Sequence, residues 1–118
     1  MIDNKLLNGT LETMMLDVMS HGPSYGYEIV QTVLSRSGGR FELKEGSLYP
    51  ALHRLERQKL LESYWSEVDS RRRKYYRLTP AGRDLLAARR SDWQAFAAGV
   101  NGVLGLERAV LERAVKLA

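Results

Sequence analysis

Cations dominate the residues of this chain that could do chemistry. Arg71, Arg72, Arg73 and Lys74 are consecutive, and Arg77 follows close behind. Upstream, Ser47, Tyr49, Pro50, His53, Arg54 and Arg57 crowd hydroxyl, aromatic and basic groups into one short segment. Such a set neutralises and hydrogen-bonds polyanions, because clustered cations release the counterions condensed on phosphates. No nucleophile–base pattern, phosphate loop or HExxH string accompanies it. Glu42, Glu45, Glu56 and Glu62 are scattered and form no acid–base pair, and Glu56 is expected to pair with cations of its own segment. His21 and His53 are far apart, and without cysteine they make no metal site. The expected chemistry is binding, with no enzyme activity and no cofactor.

The charge is unevenly placed. The 118 residues include 18 Lys or Arg and 14 Asp or Glu, for a net charge of +4. From Arg36 to Arg90 there are 14 of the former against 7 of the latter, while the remainder holds 4 against 7. A basic middle between mildly acidic ends suits a polyanion, although a solvated surface produces charge runs too. The length allows one domain with an appended arm. The absence of Cys excludes a disulfide framework and thiol chemistry. The longest apolar run is four residues, too short to span a membrane, and the start MIDNKLLNGT lacks the basic, then apolar, character of a signal peptide. A cytoplasmic location is expected.

Periodicity supplies the elements that would position these groups. Leu7, Leu11, Met14, Met15 and Val18 form one apolar helical stripe, which His21-Gly22-Pro23 ends. A second helix is expected from Ser24, as N-cap, to about Ser37, ending at Gly38-Gly39. A third should span about Ser47 to Lys59, burying Leu48, Leu52 and Leu55, with Pro50 in its first turn. Its opposite side carries Tyr49, His53, Arg54 and Arg57. Leu60 to Val68 and Arg72 to Leu78, separated by Asp69-Ser70, read as a β-hairpin. Leu61 with Trp65, and Tyr76 with Leu78, would face the core. Thr79-Pro80 then starts a long helix to about Leu104. Leu86, Trp93, Phe96, Val100 and Val103 are spaced along it as a coiled-coil-like seam. A break is expected near Gly105, followed by a short tail helix from Leu106 to Leu117.

This order makes the fold mainly α with a small β-hairpin: a winged helix-turn-helix over residues 1–78, then a C-terminal dimerisation helix and tail over residues 79–118. The third helix is the natural reader of a DNA major groove. Arg71, Arg72, Arg73, Lys74 and Arg77 would position the chain on phosphates, whereas Tyr49, His53 and Arg54 are candidates for base edges, Arg54 by a bidentate bond to guanine. Ser47 and the amides around it would suit a phosphate at the helix start. Arg54 and Lys74 are expected on one common surface.

The segments LLNGTLETMMLDVMSHGPSYGYEI, EGSLYPALHRLERQKLL and RRRKYYRLTPAGRDLL, with Trp93 downstream, resemble the PadR family of bacterial transcriptional regulators. The resemblance covers roughly residues 6 to 104, and the short C-terminal region is similar to the compact subfamily with one long dimerisation helix. It implies a homodimeric repressor of a pseudo-palindromic operator on double-stranded DNA, with Leu7 and Leu11 joining the long helix in the interface. In some compact relatives, tryptophans at the place of Trp93 flank a pore for flat aromatic molecules. Trp93 therefore serves either the dimer seam or a small aromatic effector, and Phe96 the seam. Two rival readings use the same basic surface: a winged-helix protein–protein adaptor and a binder of structured RNA.

Overall fold

The computed structural model describes residues 4–106, with the side chains of residues 4–8 left aside. Its elements run α1 (Asn4–Ser20), β1 (Ser24–Tyr25), α2 (Gly26–Arg36), α3 (Glu45–Arg57), β2 (Leu61–Val68), β3 (Arg71–Leu78) and α4 (Pro80–Leu104). The expected four helices and hairpin are present, and the fold is mainly helical with a small sheet. The chain forms two compact units that divide after Leu86, partway along α4.

The hairpin is built by its turn. Asp69 and Ser70 both take left-handed φ values, 52° and 64°, the geometry a two-residue turn needs to match the twist of its strands. That turn sets the register, so Leu61 lies opposite Leu78, Ser63 opposite Tyr76 and Trp65 opposite Lys74. A third strand joins at the far edge. Ser24 pairs with Tyr76 and Tyr25 with Tyr75, giving an antiparallel sheet in the order β1-β3-β2. This corrects the expected start of α2: Ser24 is extended and sheet-bound, and its hydroxyl donates to the Gly22 carbonyl at 3.1 Å. Tyr25 is the N-cap instead, and its amide donates to Glu28 Oε1 at 3.2 Å.

The core of the first unit is continuous. Leu11, Met15, Leu16, Val18 and Met19 from α1 pack with Ile29 and Val33 of α2, and Leu48, Ala51, Leu52 and Leu55 of α3 close it. Leu61, Tyr76, Leu78 and Leu86 complete it from the sheet and α4. Asp17 and Arg36, 3.0 Å apart, tie α1 to α2. Leu11 and Leu86 are 5% and 4% exposed, which corrects their expected place on a dimer seam: each faces its own core. Leu7 has its side chain outside the described residues. The expected tail helix likewise lies beyond them, apart from Leu106.

Helix ends follow from backbone geometry. Beyond α2, the Gly39 amide reaches the Leu34 carbonyl at 2.8 Å, and the Gly38 amide reaches Ser35 at 3.1 Å, with Gly38 at φ 64°. The same pair of bonds closes α3, from Leu60 to Leu55 and from Lys59 to Glu56. There the left-handed position, φ 62°, is held by Lys59, which has a β-carbon to accommodate. Lys59→Gly should therefore raise the unfolding free energy by about 0.5 kcal/mol, visible as a higher denaturant midpoint at constant m.

α4 begins as expected. Thr79 Oγ1 accepts the Gly82 amide at 3.1 Å and donates to the Lys59 carbonyl at 2.7 Å, with Pro80 at the first helical position. Gly82 lies so close to the α3–β2 junction that an added β-carbon would sit 2.1 Å from the Leu60 carbonyl oxygen. In the second unit, Trp93 and Phe96 place their rings 5.7 Å apart. Trp93, Phe96, Val100 and Val103 are all exposed, Val103 at 88%. Gly105, at φ 73°, ends the helix where a break was expected.

Candidate nucleic-acid interface

α3 starts two residues earlier than its sequence suggests, because Lys44 takes the extended N-cap position. Two expectations change with it. Pro50 lies in the second turn, so its missing N–H leaves the Gly46 carbonyl without its helical donor, and Gly46 is exposed to solvent. The Ser47 amide is already committed to the Lys44 carbonyl at 3.0 Å, and the acidic Glu45 occupies the first turn. The start of α3 is thus a poorer phosphate seat than expected, although Ser47 itself is exposed.

At 100° per residue, Gly46, Pro50, His53 and Arg57 share the middle of the exposed face of α3, directly opposite Leu48 and Leu55. Tyr49 and Arg54 lie on its two flanks. Arg54 turns toward α1, where its Nη2 meets Glu12 Oε1 at 2.9 Å. Tyr49 turns the other way, toward α2 and the wing. The approach is possible because Gly26 has no side chain: a β-carbon there would lie 2.7 Å from the Tyr49 hydroxyl.

A cleft of about 430 Å³ opens between α3 and the wing, lined by Tyr49 and His53, by Tyr25, Gly26 and Tyr27, and by Trp65, Arg73, Lys74 and Tyr76. Lys74 and Arg73 therefore share a surface with His53 and Tyr49. Arg54 is not among the residues lining the cleft; it lies on the opposite flank of the exposed face of α3, beside Glu12. Burial pushes the Tyr76 hydroxyl above its usual 10.0, with Glu56 and Tyr49 adding to the effect. Glu56 accepts a hydrogen bond from the Ser63 hydroxyl on β2, a partner other than the helix cation expected for it.

The wing carries its charge on aromatic rings. Arg72 lies over Trp65 at 4.6 Å, Arg73 over Tyr25 at 4.4 Å and Arg77 over Tyr64 at 5.3 Å. Tyr64 stacks on Tyr75 at 5.8 Å, and Tyr75 meets Tyr25 edge-on at 5.5 Å, so one face of the sheet is a row of three phenols. These contacts restrain the guanidiniums without neutralising them. Among the described residues, Arg71, Arg72, Arg73, Lys74, His53 and Arg57 have no carboxylate within ion-pair distance. Arg77 differs, because Glu62 directly across the ladder holds it at 3.1 Å.

Trp65 corrects another expectation. It has the parity of Leu61 but is 56% exposed, because the hairpin continues past the point where the core ends. Sequence reasoning also passed over Tyr25, Tyr27 and Gly26 as cleft residues. The register signal for Trp65 was present, since a two-residue turn at Asp69-Ser70 already sets it opposite Lys74. No local signal brings Tyr25 to the wing; that takes the pairing of β1 with β3.

The described residues hold no group of His, Asp and Glu arranged for a metal, and no helix among them is long and apolar enough to cross a membrane. A family model described as the transcriptional regulator PadR-like family matches residues 15–88. A transcriptional regulator of Mycobacterium tuberculosis, Rv3488, is 46% identical over 69 residues, covering 58% of this chain and 63% of that protein. An uncharacterised protein of Lysinibacillus sphaericus is 34% identical over 94 residues, 79% of this chain and 86% of its own. Among solved structures, a transcriptional regulator from Clostridium thermocellum superposes with a TM-score of 0.76 at 31% identity, covering 84% of this chain and 97% of its own. A PadR-like regulator from Bacillus cereus gives 0.75 at 30% identity, over 86% and 97%. Order of elements, charged wing and matched segments agree: the chain belongs to the PadR-like family of transcriptional regulators, which are not enzymes.

Proposed function

We propose that the chain is a cytoplasmic homodimeric repressor that binds a pseudo-palindromic DNA operator through α3 and the wing. The observation that carries this reading is the concentration of unneutralised cations around one cleft: Arg73 and Lys74 at its walls beside the His53 imidazole, with Arg71 and Arg72 at the wing tip. The exposed face of α3, led by His53 and Arg57 with Ser47, Tyr49 and Pro50 beside them, enters the major groove. The wing tip contacts phosphates alongside it. The exposed seam of Trp93, Phe96, Val100 and Val103 supports pairing with a second copy, since aromatic surface of this kind is costly to leave in water. Two copies then present two α3 helices, which matches half-sites about one helical turn, or a multiple, apart.

Repression follows from competition with polymerase for the promoter. A flat aromatic molecule stacked between the paired Trp93 rings would relieve it by favouring a different placement of the two α3 helices. Selection of bound duplexes from a random DNA pool tests the whole reading. An inverted repeat with a fixed half-site spacing is expected, with weaker retention of RNA hairpins. Enrichment of a single unrepeated site would remove the dimer from the proposal, and preferential capture of RNA hairpins would replace DNA as the partner. No enrichment of either nucleic acid would leave the adaptor reading in its place.

A further inference from the structure

We infer that Glu12 sets the selectivity of the α3 interface by holding Arg54 away from bare phosphate, an inference that rests on the DNA-binding reading above. Arg54 and Glu12 are separated by 42 positions in the chain, yet their Nη2 and Oε1 atoms meet at 2.9 Å. Glu12 is the more buried partner, with its side chain 18% exposed against 45% for Arg54. At helical spacing on α1 it lies between Met15 and Leu16, both seated in the core, so the carboxylate belongs to a rigid support. Arg54 is at the edge of the one helix face that the core leaves free. The carboxylate thus stands beside the DNA face and competes with DNA for the same guanidinium.

The competition separates two kinds of partner. A backbone phosphate offers Arg54 an anion little different from the one it already has, and offers it on every sequence. A guanine at the right step offers two fixed acceptors that match the guanidinium fork, and offers them only at that step. The exchange from Glu12 is therefore least rewarded on random duplex and most rewarded on the operator. Glu12 acts here as a positioning residue, working through Arg54 without touching a base itself. By contrast, Arg57 and His53 have no such carboxylate among the described residues and are available to any duplex.

The test uses the full chain and fluorescence anisotropy on the selected operator and on a random-sequence duplex across a salt series. A partly exposed ion pair contributes little to folding, so the variants remain folded, as far-ultraviolet circular dichroism would verify. Glu12→Gln should bind random duplex about five- to tenfold more tightly near 0.1 M salt, with the salt slope steeper by about one. Its operator-to-random ratio should fall. In an Arg54→Gln background the same substitution should leave the slope unchanged. Unaltered random-duplex binding by Glu12→Gln would overturn the inference, as would an equal gain in the Arg54→Gln background, which would reduce Glu12 to a repelling charge. Failure of the unsubstituted chain to bind either duplex would instead refute the DNA-binding reading itself.

Discussion

Gly82→Ala should destabilise the protein by about 3 kcal/mol, the largest loss expected of any single methyl addition among the described glycines. The new β-carbon would stand 2.1 Å from the Leu60 carbonyl oxygen, more than an ångström inside ordinary contact. The obstacle is backbone, so no rotamer change relieves it. α4 would have to lift from the α3–β2 junction, and the lift would strain the bonds that Thr79 makes there: its amide to the Leu60 carbonyl at 3.1 Å, and its hydroxyl to the Lys59 carbonyl. Leu86, one helical turn further on, would leave the core with them. A denaturant titration checks this through a lower midpoint at similar m. Gly46→Ala is the control. Its β-carbon would meet nothing within 4 Å, and the helix gains a better former, so stability should hold or rise. Equal losses at both positions would contradict the close approach of α4.

The second large effect concerns the wing. Replacing Arg71 and Arg72 together with alanine should weaken operator and random duplex alike, by roughly 50-fold near 0.1 M salt, and lower the salt slope by about two. Both side chains are exposed at the tip, and neither has a carboxylate within ion-pair distance among the described residues, although Glu67 lies across the ladder from Arg72. Equal loss on both duplexes is the sign of phosphate contact, since base reading would penalise the operator more. Arg77→Ala gives the internal contrast. Glu62 already engages its guanidinium at 3.1 Å, so removing it frees an acid as it deletes a base, and the slope should change little. A double variant that retained the original slope would take the tip out of the interface. The unsubstituted chain should itself lose about 10³-fold or more in affinity between 50 and 200 mM salt, if some six phosphates are engaged.

Local signals in the sequence were sufficient for most elements. Thr79-Pro80 announces α4 through a cap and a pre-set φ, and Asp69-Ser70 announces the hairpin as a two-residue break between strand-like runs. Tyr76, in phase with Leu78, is 3% exposed as its parity requires. What periodicity conveys is that a side chain will be covered; it says nothing about which molecule covers it. Leu86 has the spacing of a seam, and Leu11 was expected in the interface by resemblance, yet both are covered by their own chain. Trp65 shows the converse, where strand parity continues but the core beneath it has ended.

The site was legible as a composition and less so as a geometry. Arg71 to Lys74 reads as a basic tip from the residues alone. The division of α3 into a Tyr49 flank and an Arg54 flank depends on what lies beside each: α2 with its bare Gly26 on one side, and Glu12 of α1 on the other. Both partners are distant in sequence, so helical periodicity alone would have left the two residues equivalent. The same holds for β1, whose two residues carry no strand signal until β3 supplies the other half of the ladder.

That short strand also decides how the wing meets its target. Ser24 and Tyr25 stitch the root of β3 to the start of α2, and Arg73 lies over the Tyr25 ring. The hairpin is therefore anchored like a cantilever, stiff where it leaves the body and free only near Asp69-Ser70. On the proposed reading, a duplex arriving at the cleft would find its nearest cations already oriented, and the ordering entropy lost on docking would be confined to the outermost turn.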